Sequence, residues 1–363
     1  MTPALALSLA KGYVMIKTLD IKNFRCFEKV HIPNLKRINV IVGTNASGKT
    51  ALLEAIYLAG GAQPDLNFKL RTWRGLGGAI RISTDLASHH DLWKDLFHKF
   101  DETKPPTISF RGTSAFTRTL TIFFSPSKER VIPVNSTQEG TQATVPLVFQ
   151  WTKGTKTIGV SRIEVVNGEF KISGAGIPIG ASFYTSAQAI EPLSTADRFS
   201  NLKKRGKEMP VVDFIKNMFS FIDRVDVDTH HGLPMLHAYI KSLPEAIPLG
   251  FVSAGINKLV AILVDVINFG HGIVLLDEVE NGFYYETMPE IWMHLFKLSS
   301  DNGTQIFAST HSLEALRNIL PAIKGHEEDF CLLRTKMENG KCIVRRIEGA
   351  DFEAAIEEGV EVR

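Results

Sequence analysis

The stretch GTNASGKT, residues 43–50, decides the fold of this 363-residue sequence. It matches the phosphate-loop pattern G-x-x-x-x-G-K-[ST]. The apolar run RINVIVG, residues 37–43, predicts a buried strand directly before the loop. Apolar residues at helical spacing in ALLEAIYLAGG, residues 51–61, predict a helix directly after it. Strand, glycine-rich loop and helix in this order are the context that binding of nucleotide phosphates requires.

The residue types of this loop suit contacts with phosphate. Glycines let backbone amides close around phosphate oxygens, and the N-terminus of the following helix adds a favourable dipole. We expect Lys49 to reach the β- and γ-phosphates of ATP and the Thr50 hydroxyl to ligate Mg²⁺. The predicted nucleotide-binding residues are Gly43, Asn45, Ala46, Ser47, Gly48, Lys49 and Thr50.

A second motif, GIVLLDE at residues 272–278, is an apolar strand that ends in two acids. An interior strand would place Asp277 at the sheet edge where ligands bind in open α/β sheets. We expect Asp277 to hold Mg²⁺ through water and Glu278 to polarise the attacking water as a general base. A solvated strand end is the alternative, and the phosphate loop elsewhere in the chain disfavours it.

A further strand, TQIFASTHS at residues 304–312, leads directly into a Thr-His pair. It follows the acidic pair at a spacing that would let His311 sense the γ-phosphate. The alternative is a packed or solvated histidine. We favour the functional interpretation and predict a catalytic role for His311.

The remaining patterns predict an α/β fold with a mixed sheet, an antiparallel β layer and a helical lobe. Residues 16–27 alternate apolar and polar residues as a half-buried strand does. TLTIFF, VPLVFQW and GVSRIEVV, between about residues 105 and 173, indicate the antiparallel layer. Helical patterns dominate from Asp213 onward, and residues 259–276 predict a core helix followed by a buried strand. The end of the chain predicts a hairpin around Asn339 and Gly340, then a short helix.

Composition bounds the remaining possibilities. The hydrophobic fraction of 44% is typical of a globular protein, and the net charge of +2 neither favours nor excludes a nucleic-acid partner. The three cysteines are an odd number without a CxxC pair, which indicates reduced thiols in a cytoplasmic protein. No stretch predicts a membrane-spanning helix. We interpret residues 1–14 as an unstructured extension, with Met15 as an alternative initiator.

These motifs, together with IKTLDIKNFRCFEKV (residues 16–30) and DEVENGFYYETMPEIW (residues 277–292), resemble the ABC-type ATPase heads of the RecF and SMC group. More closely, they resemble the stand-alone AAA-labelled ATPases related to the OLD family. ASTHSLE (residues 308–314) and EEGVEVR (residues 357–363) are part of the resemblance, which covers residues 15–363 apart from the β layer. It implies a two-lobed P-loop NTPase head. Residues 15–185 would form the lobe with the phosphate loop and the β layer, residues 186–330 the lobe with the signature segment and the acidic strand, and residues 331–363 a C-terminal hairpin and helix.

The resemblance also implies a head-to-tail homodimer that binds ATP between two protomers. Each phosphate loop would face the partner's signature segment, here FVSAGINKL, where Ser253 and Gly255 would contact the nucleotide. The usual form has two glycines after the serine, and Ala254 replaces the first. A serine that only caps the following helix is the alternative for Ser253.

Three further positions carry roles that only the resemblance supplies. Gln188 would be the glutamine that approaches Mg²⁺ and water, with a surface loop glutamine as the alternative. Arg25 would lie near the base or ribose, with an exposed strand residue as the alternative. Tyr284 stands where the family often has histidine, so any role of that histidine is lost.

Two other patterns do not predict a site. Asp226 and Asp228 with three nearby histidines could imitate a metal centre or a TOPRIM nuclease motif, but the alternation in RVDVDTHH favours one face of an exposed strand. The basic residues of KKRGK, residues 203–207, favour a solvated helix end over a phosphate-backbone contact.

The sequence therefore predicts an ATP-hydrolysing molecular switch that acts in prokaryotic DNA maintenance or anti-phage defence. A separately encoded nuclease or other effector, and DNA itself, are the candidate partners. An ATPase subunit of a membrane transporter is one alternative, disfavoured by the poor match to the LSGGQ signature. A nucleotide-gated scaffold with negligible turnover is the other, disfavoured by Glu278.

Overall fold

The structure is a computed structural model that describes residues 15–61, 65–74, 91–125, 145–166, 169–185 and 190–357. The chain forms two compact units, one within residues 1–35, 44–179 and 335–346, the other within residues 36–43, 180–334 and 347–363. Each unit is therefore discontinuous in sequence. The predicted extension over residues 1–14 lies outside the described residues, and the predicted division of residues 15–363 stays a prediction.

The described part of the chain forms sixteen strands and nine α-helices. The strands are β1 (Ile16–Phe24), β2 (Phe27–Ile32), β3 (Ile38–Val42), β4 (Thr107–Gly112), β5 (Thr117–Phe124), β6 (Leu147–Lys153), β7 (Lys156–Val166), β8 (Glu169–Ala175), β9 (Ala181–Tyr184), β10 (Ile222–His230), β11 (Leu233–Ile240), β12 (Ile247–Pro248), β13 (Ile273–Leu276), β14 (Gln305–Ser309), β15 (Phe330–Glu338) and β16 (Lys341–Glu348). The α-helices are α1 (Lys49–Gly60), α2 (Asp65–Trp73), α3 (Pro192–Lys204), α4 (Met209–Met218), α5 (Leu249–Val252), α6 (Ala254–Asn268), α7 (Met288–Asn302), α8 (Leu313–Ile323) and α9 (Gly349–Glu357).

The first unit contains a seven-stranded antiparallel sheet in the order β2-β1-β4-β5-β6-β7-β8. This sheet is the predicted antiparallel layer, which is confirmed. The single strand predicted over residues 16–27 is wrong at its end, because β1 stops at Phe24 and the chain turns back into β2. Arg25 in this turn has a positive φ angle of 49°, and Asn23 near the end of β1 has one of 54°; both lie outside the β region.

Arg118, on β5, satisfies the carboxyl end of α1. Its guanidinium donates to the carbonyl oxygens of Ala59 at 2.6 Å, Gly61 at 2.7 Å and Ile177 at 2.6 Å. Arg118 is only 3% exposed. Burial lowers the pKa of its guanidinium to about 10, so the group stays charged at neutral pH. The last carbonyls of a helix lack partners within the helix, and a cation there also complements the helix dipole. Arg118 therefore fixes α1 on the sheet.

We predict that Arg118→Met lowers the free energy of unfolding by about 3 kcal/mol, because it leaves three carbonyl oxygens without their charged donor. Urea unfolding followed by circular dichroism measures the loss. Arg111→Met on the neighbouring strand β4 is the matched control, because Arg111 is exposed and, among the described residues, pairs with Asp20 alone. It should cost less than about 1 kcal/mol. Equal losses in the two variants would contradict the role of Arg118.

The second unit contains a parallel sheet. In the order β15-β3-β14-β13-β9, strand β3 pairs in parallel with residues 330–334 of β15 and with β14, and β13 pairs in parallel with β14 and β9. Every residue of β3, β13 and β14 is buried, as the near-continuous apolar runs predict. The predicted α/β fold is confirmed by these parallel strands and by the helices that connect them along the chain.

Helix α6 is the centre of the core of the second unit. Its residues 259–267 are all buried, and the helix packs against α3, α4, α7 and β13. The prediction of a core helix followed by a buried strand is confirmed by α6 and β13. Among the described residues, no helix is long and apolar enough to span a membrane.

Two patterns that did not predict a site have structural explanations within this unit. RVDVDTHH lies mainly on β10, which forms a hairpin with β11, and Lys203 at the end of α3 pairs with Asp226 at 2.7 Å. Within the described parts of the chain, no group of three or more His, Cys, Asp or Glu could hold a metal ion. The predicted C-terminal hairpin is confirmed, with positive φ angles at Asn339 and Gly340 in its turn.

Candidate functional site

The phosphate loop connects β3 to α1. Three of its residues have positive φ angles: Gly43 at 150°, Ala46 at 60° and Gly48 at 99°. Gly48 is the N-cap of α1, which has neither a side-chain cap nor an acidic residue in its first turn. The positive end of the helix dipole therefore faces the loop without a carboxylate from that turn, as an anion site requires.

Two side chains hold the loop in shape. The Nζ atom of Lys49 donates to the Thr44 carbonyl oxygen at 3.0 Å, across the loop. Ser47 is 1% exposed, and its Oγ lies 2.6 Å from Oγ1 of Thr335. The Ser47 carbonyl oxygen accepts from the Cys342 thiol. The loop is thus anchored below by Ser47, while Thr44, Asn45 and Ala46 at its tip are exposed.

Gly48 has two separate reasons to be glycine. Its φ of 99° is one that L side chains rarely adopt. A Cβ there would also lie 2.6 Å from the Cys342 Sγ, 2.9 Å from the Cys26 Sγ and 3.2 Å from the Phe27 ring. Backbone strain and crowding both oppose any side chain at this position.

We predict that Gly48→Ala weakens ATP binding about 10- to 100-fold, because strain of about 1–3 kcal/mol must be relieved by moving the loop. Isothermal titration calorimetry with ATP measures the affinity. Gly154→Ala is the matched control, since Gly154 also has a positive φ, of 58°, but nothing crowds it. Its variant should bind ATP as the parent does. Unchanged affinity in Gly48→Ala would contradict the prediction.

In the second unit, the Ser309 side chain organises the acidic pair that follows β13. Its Oγ donates to Oδ1 of Asp277 at 2.5 Å and accepts from the Glu278 backbone N at 2.9 Å. The Asp277 backbone N also donates to the Tyr184 carbonyl oxygen at 2.8 Å. Ser309 is the last residue of β14, the strand beside β13, so the parallel pairing brings it to the acids.

Glu278 adopts a positive φ of 49°, which is uncommon outside glycine and recurs at functional sites. Its Oε2 accepts from Nδ2 of Asn281 at 2.7 Å. Asn281 also offers its carbonyl oxygen to Nζ of Lys258 at 3.0 Å. Backbone strain and the Asn281 amide thus fix the direction of the Glu278 carboxylate.

Lys258, on α6, brings a cation to these acids. Burial lowers its pKa, and the carboxylates of Glu280, Asp277 and Glu278 act in the opposite direction. Its Nζ also lies 5.6 Å from the centre of the Phe283 ring. The positive charge offsets part of the repulsion between the closely spaced carboxylates.

His311 follows β14, as the sequence predicts, and pairs with Glu280. Its Nδ1 lies 3.2 Å from Oε1 of Glu280, which also accepts from the His311 backbone N at 3.3 Å. The His311 side chain is 50% exposed, so it is neither a packed core histidine nor without a partner. The Glu280 contact fixes one ring nitrogen and leaves Nε2 as the atom able to meet a phosphate. The predicted γ-phosphate role stays a prediction.

We predict that Ser309→Ala lowers the turnover number for ATP about 10- to 100-fold, because outer hydrogen bonds that orient metal-binding carboxylates typically have effects of this size. Phosphate release at saturating ATP, measured over a Mg²⁺ series, tests this. Ser300→Ala, at an exposed position near the end of α7, is the matched control and should leave turnover unchanged. Parental turnover in Ser309→Ala at every Mg²⁺ concentration would show that the bridge is dispensable.

The signature segment has the geometry of a helix cap. The Ser253 side chain accepts from the Ile256 backbone N at 3.3 Å, which is the alternative role stated from sequence. A Cβ on Gly255 would lie 2.0 Å from the Gly282 carbonyl oxygen. Gly255 is therefore required for close packing of α6 on the loop after the acidic pair. The predicted contacts of both residues with a partner's nucleotide stay predictions.

Arg25 is not an exposed strand residue, so that alternative is wrong. It lies in the turn after β1, its side chain is 13% exposed, and its Nε lies 2.7 Å from Oε2 of Glu54 on α1. Its Nη1 also pairs with Oδ2 of Asp95 at 2.9 Å. Contact of Arg25 with the nucleotide stays a prediction. Gln188 lies outside the described residues, so its predicted role stays a prediction.

Three residues of the acidic site were not predicted from sequence: Ser309, Asn281 and Lys258. Ser309 and Asn281 do lie within the quoted segments ASTHSLE and DEVENG. A polar residue at the last position of the strand paired with the acidic strand is the signal that could have identified Ser309.

Comparisons with known proteins agree with this geometry. Residues 15–128 match the family model of an AAA ATPase domain. Residues 194–317 match an AAA domain whose description names the AbiEii toxin of type IV toxin–antitoxin systems as a proposed member. The first match contains the phosphate loop, and the second contains the acidic pair and His311.

Individual relatives extend the likeness to nearly the whole chain. An "ATP/GTP phosphatase" from Helicobacter pylori is 23% identical over 376 residues, which cover 93% of this chain and 97% of that protein. A "DNA replication and repair protein RecF" from Idiomarina loihiensis is 51% identical over 47 residues, 13% of each chain. An SMC head, solved bound to the C-winged helix domain of ScpA, superposes with a TM-score of 0.50 and 14% identity over 93% of this chain.

The SMC-head likeness shows the fold, and the two family matches show the enzyme class. The chain is an ATPase, and its fold is that of an ABC/SMC-like ATPase head. The resemblance derived from the motifs is confirmed.

Proposed function

We propose that this ATPase is a molecular switch in which Mg²⁺-ATP joins two copies of the chain head to tail and hydrolysis separates them. The observation that carries the proposal is the double support of Asp277 and Glu278 by Ser309, combined with an intact phosphate loop. A protein that only binds nucleotide has no need of an oriented general base. The support of Glu278 by Asn281 favours turnover over a passive scaffold.

The phosphate loop would bind the nucleotide. The loop amides and the first turn of α1 would receive the phosphates, and Lys49 would exchange its internal contact with Thr44 for the β- and γ-phosphates. Its 9% exposure keeps that ammonium away from bulk water, which strengthens its attraction to phosphate.

The residues present fit Mg²⁺, which prefers oxygen ligands and is commonly held by one or two protein oxygens together with substrate phosphates. The Thr50 hydroxyl and the Asp277 carboxylate are such oxygens. Bound Mg²⁺ would neutralise charge on the phosphates. Ser309 would hold Oδ1 of Asp277 and so orient this carboxylate towards a metal-bound water.

Glu278 would orient the attacking water and accept its proton. The Asn281 amide engages Oε2, so Oε1 is the atom that would take the proton. His311, held by Glu280, would meet the γ-phosphate through Nε2.

Dimerisation is supported by the family resemblance and by the position of the signature segment. Ser253 begins α6 at a helix N-terminus, which can offer a hydroxyl and backbone amides to a partner's γ-phosphate. Because Gly255 contacts the Gly282 carbonyl region, a signal at α6 would reach the acidic pair within the same protomer. The likeness to RecF and to the AbiEii-type AAA domain supports a role in DNA maintenance or anti-phage defence with a separate effector.

We predict that Glu278→Gln keeps ATP binding but lowers turnover about 10²- to 10⁴-fold, the range typical of a lost general base. The variant should accumulate as an ATP-bound dimer. Phosphate release and light scattering, both at saturating ATP and Mg²⁺, measure the two effects.

Glu286→Gln is the matched control, because its exposed carboxylate accepts only from the neighbouring Tyr285 hydroxyl among the described contacts. It should behave as the parent. If Glu278→Gln hydrolyses ATP at the parental rate, the general-base assignment fails. If it loses turnover but stays monomeric with ATP bound, the switch by dimerisation fails.

A further inference from the structure

Two cysteines that are far apart in sequence meet beneath the phosphate loop. Cys26 lies in the turn between β1 and β2, and Cys342 lies on β16. Their sulfurs lie 2.9 Å and 2.6 Å from the same point, the position of a Cβ on Gly48. Both sulfurs therefore occupy the space that the missing Gly48 side chain leaves open.

The pair is chemically unequal. Cys26 is partly exposed, whereas Cys342 is 2% exposed. The neighbouring Cys342 thiol lowers the pKa of Cys26, with help from the Arg25 charge and against the effect of burial. The neighbouring Cys26 sulfur and burial raise the pKa of Cys342. Reactive cysteines are typically accessible, favour the thiolate and have a second thiol nearby to resolve the oxidised form.

Cys342 also contacts the loop directly. Its thiol donates to the Ser47 carbonyl oxygen, and Ser47 precedes Gly48 in the loop. A change at Cys342 therefore acts on the backbone that would surround the phosphates.

We propose that Cys26 and Cys342 form a modification site: a dithiol that a peroxide oxidises reversibly to a disulfide, which weakens ATP binding. The effect on ATP rests on the nucleotide binding proposed above, whereas the disulfide itself does not.

The oxidation balances with hydrogen peroxide as the oxidant. The Cys26 thiolate attacks one peroxide oxygen, the O–O bond breaks, and the product is a sulfenic acid with release of one water after protonation. The Cys342 sulfur then attacks the Cys26 sulfur, the S–O bond breaks, and the Cys342 proton leaves with hydroxide as a second water. Two thiols lose two electrons, and one peroxide gains them. A dithiol reductant reverses the reaction by exchange.

The disulfide would change the loop in two ways. It removes the S–H donor of Cys342, so the Ser47 carbonyl oxygen loses that partner. It also draws the β1–β2 turn and β16 together under Gly48, where the sulfurs already fill the available space. Loss of one hydrogen bond and a displaced loop correspond to a decrease in ATP affinity of about tenfold.

The test uses the full chain, treated with limited hydrogen peroxide and then alkylated. Mass spectrometry should find a peptide pair linked through Cys26 and Cys342. Calorimetric titration with ATP should give an affinity about tenfold lower than that of untreated protein. Dithiothreitol should restore the untreated affinity.

Cys331→Ser is the matched control, because Cys331 lies on the other unit's β15, where its thiol contacts Asn39. This variant should keep the full response to peroxide, whereas Cys26→Ser and Cys342→Ser should each lose it. Should Cys342→Ser not fold, Cys26→Ser at the more exposed position decides alone.

A Cys26 oxidised to sulfinic acid beside an unmodified Cys342 would overturn the dithiol site. A Cys26–Cys342 disulfide with unchanged ATP affinity would overturn its effect on the loop. Failure of the untreated protein to bind ATP would instead overturn the proposed function, and the linked peptides would still report on the dithiol.

Discussion

Parallel pairing of β14 with both β3 and β13 sets the position of the acidic site. The register places Ser309 opposite Ile41 and Ala308 opposite Leu276, so the strands end at one edge of the sheet. The ladder continues beyond them, since Val279 N donates to the Ser309 carbonyl oxygen at 3.0 Å. A shift of one residue would turn the Ser309 side chain to the opposite face and away from the acids. Complete burial of these strands prevents that shift, because it would exchange the side chains that face each side of the core.

The parts of the fold that sequence predicts are those with short-range causes. The phosphate loop, its strand and its helix lie within about 25 consecutive residues, and each follows from glycine placement and apolar spacing. The same holds for the hairpin at Asn339 and Gly340, where two neighbouring residues must both adopt positive φ. The acidic pair was predictable because an apolar strand ending in two acids is a local pattern, given the phosphate loop.

The parts that sequence did not predict depend on partners distant in the chain. Arg25 was assigned either to a nucleotide or to solvent, yet it pairs with Glu54 and Asp95. Neither carboxylate is identifiable without knowing that the β1–β2 turn packs beside α1. Cys26 and Cys342 were interpreted only as reduced thiols, because spacing along the chain cannot show that the β1–β2 turn and β16 bring them to one glycine. Both the carboxylate contacts of Arg25 and the meeting of the two cysteines arise only when the chain folds, so composition and spacing do not predict them.

A buried charge connects the signature helix to the acidic strand in the second unit. Asp265 on α6 is 2% exposed, pairs with Nε of Arg198 at 2.6 Å, and accepts from the Tyr184 hydroxyl at 2.6 Å. Burial raises the pKa of Asp265, and the Arg198 charge and the Tyr184 hydrogen bond oppose that rise. Arg198 lies on α3 and Tyr184 on β9, so separating α6 from either element would leave the buried Asp265 without one of its partners, at a high cost in free energy. The Tyr184 carbonyl oxygen in turn accepts from the Asp277 backbone N. A displacement of α6 would therefore reach Asp277 through Tyr184, which connects the proposed nucleotide contact at α6 to the proposed metal site at the acidic strand.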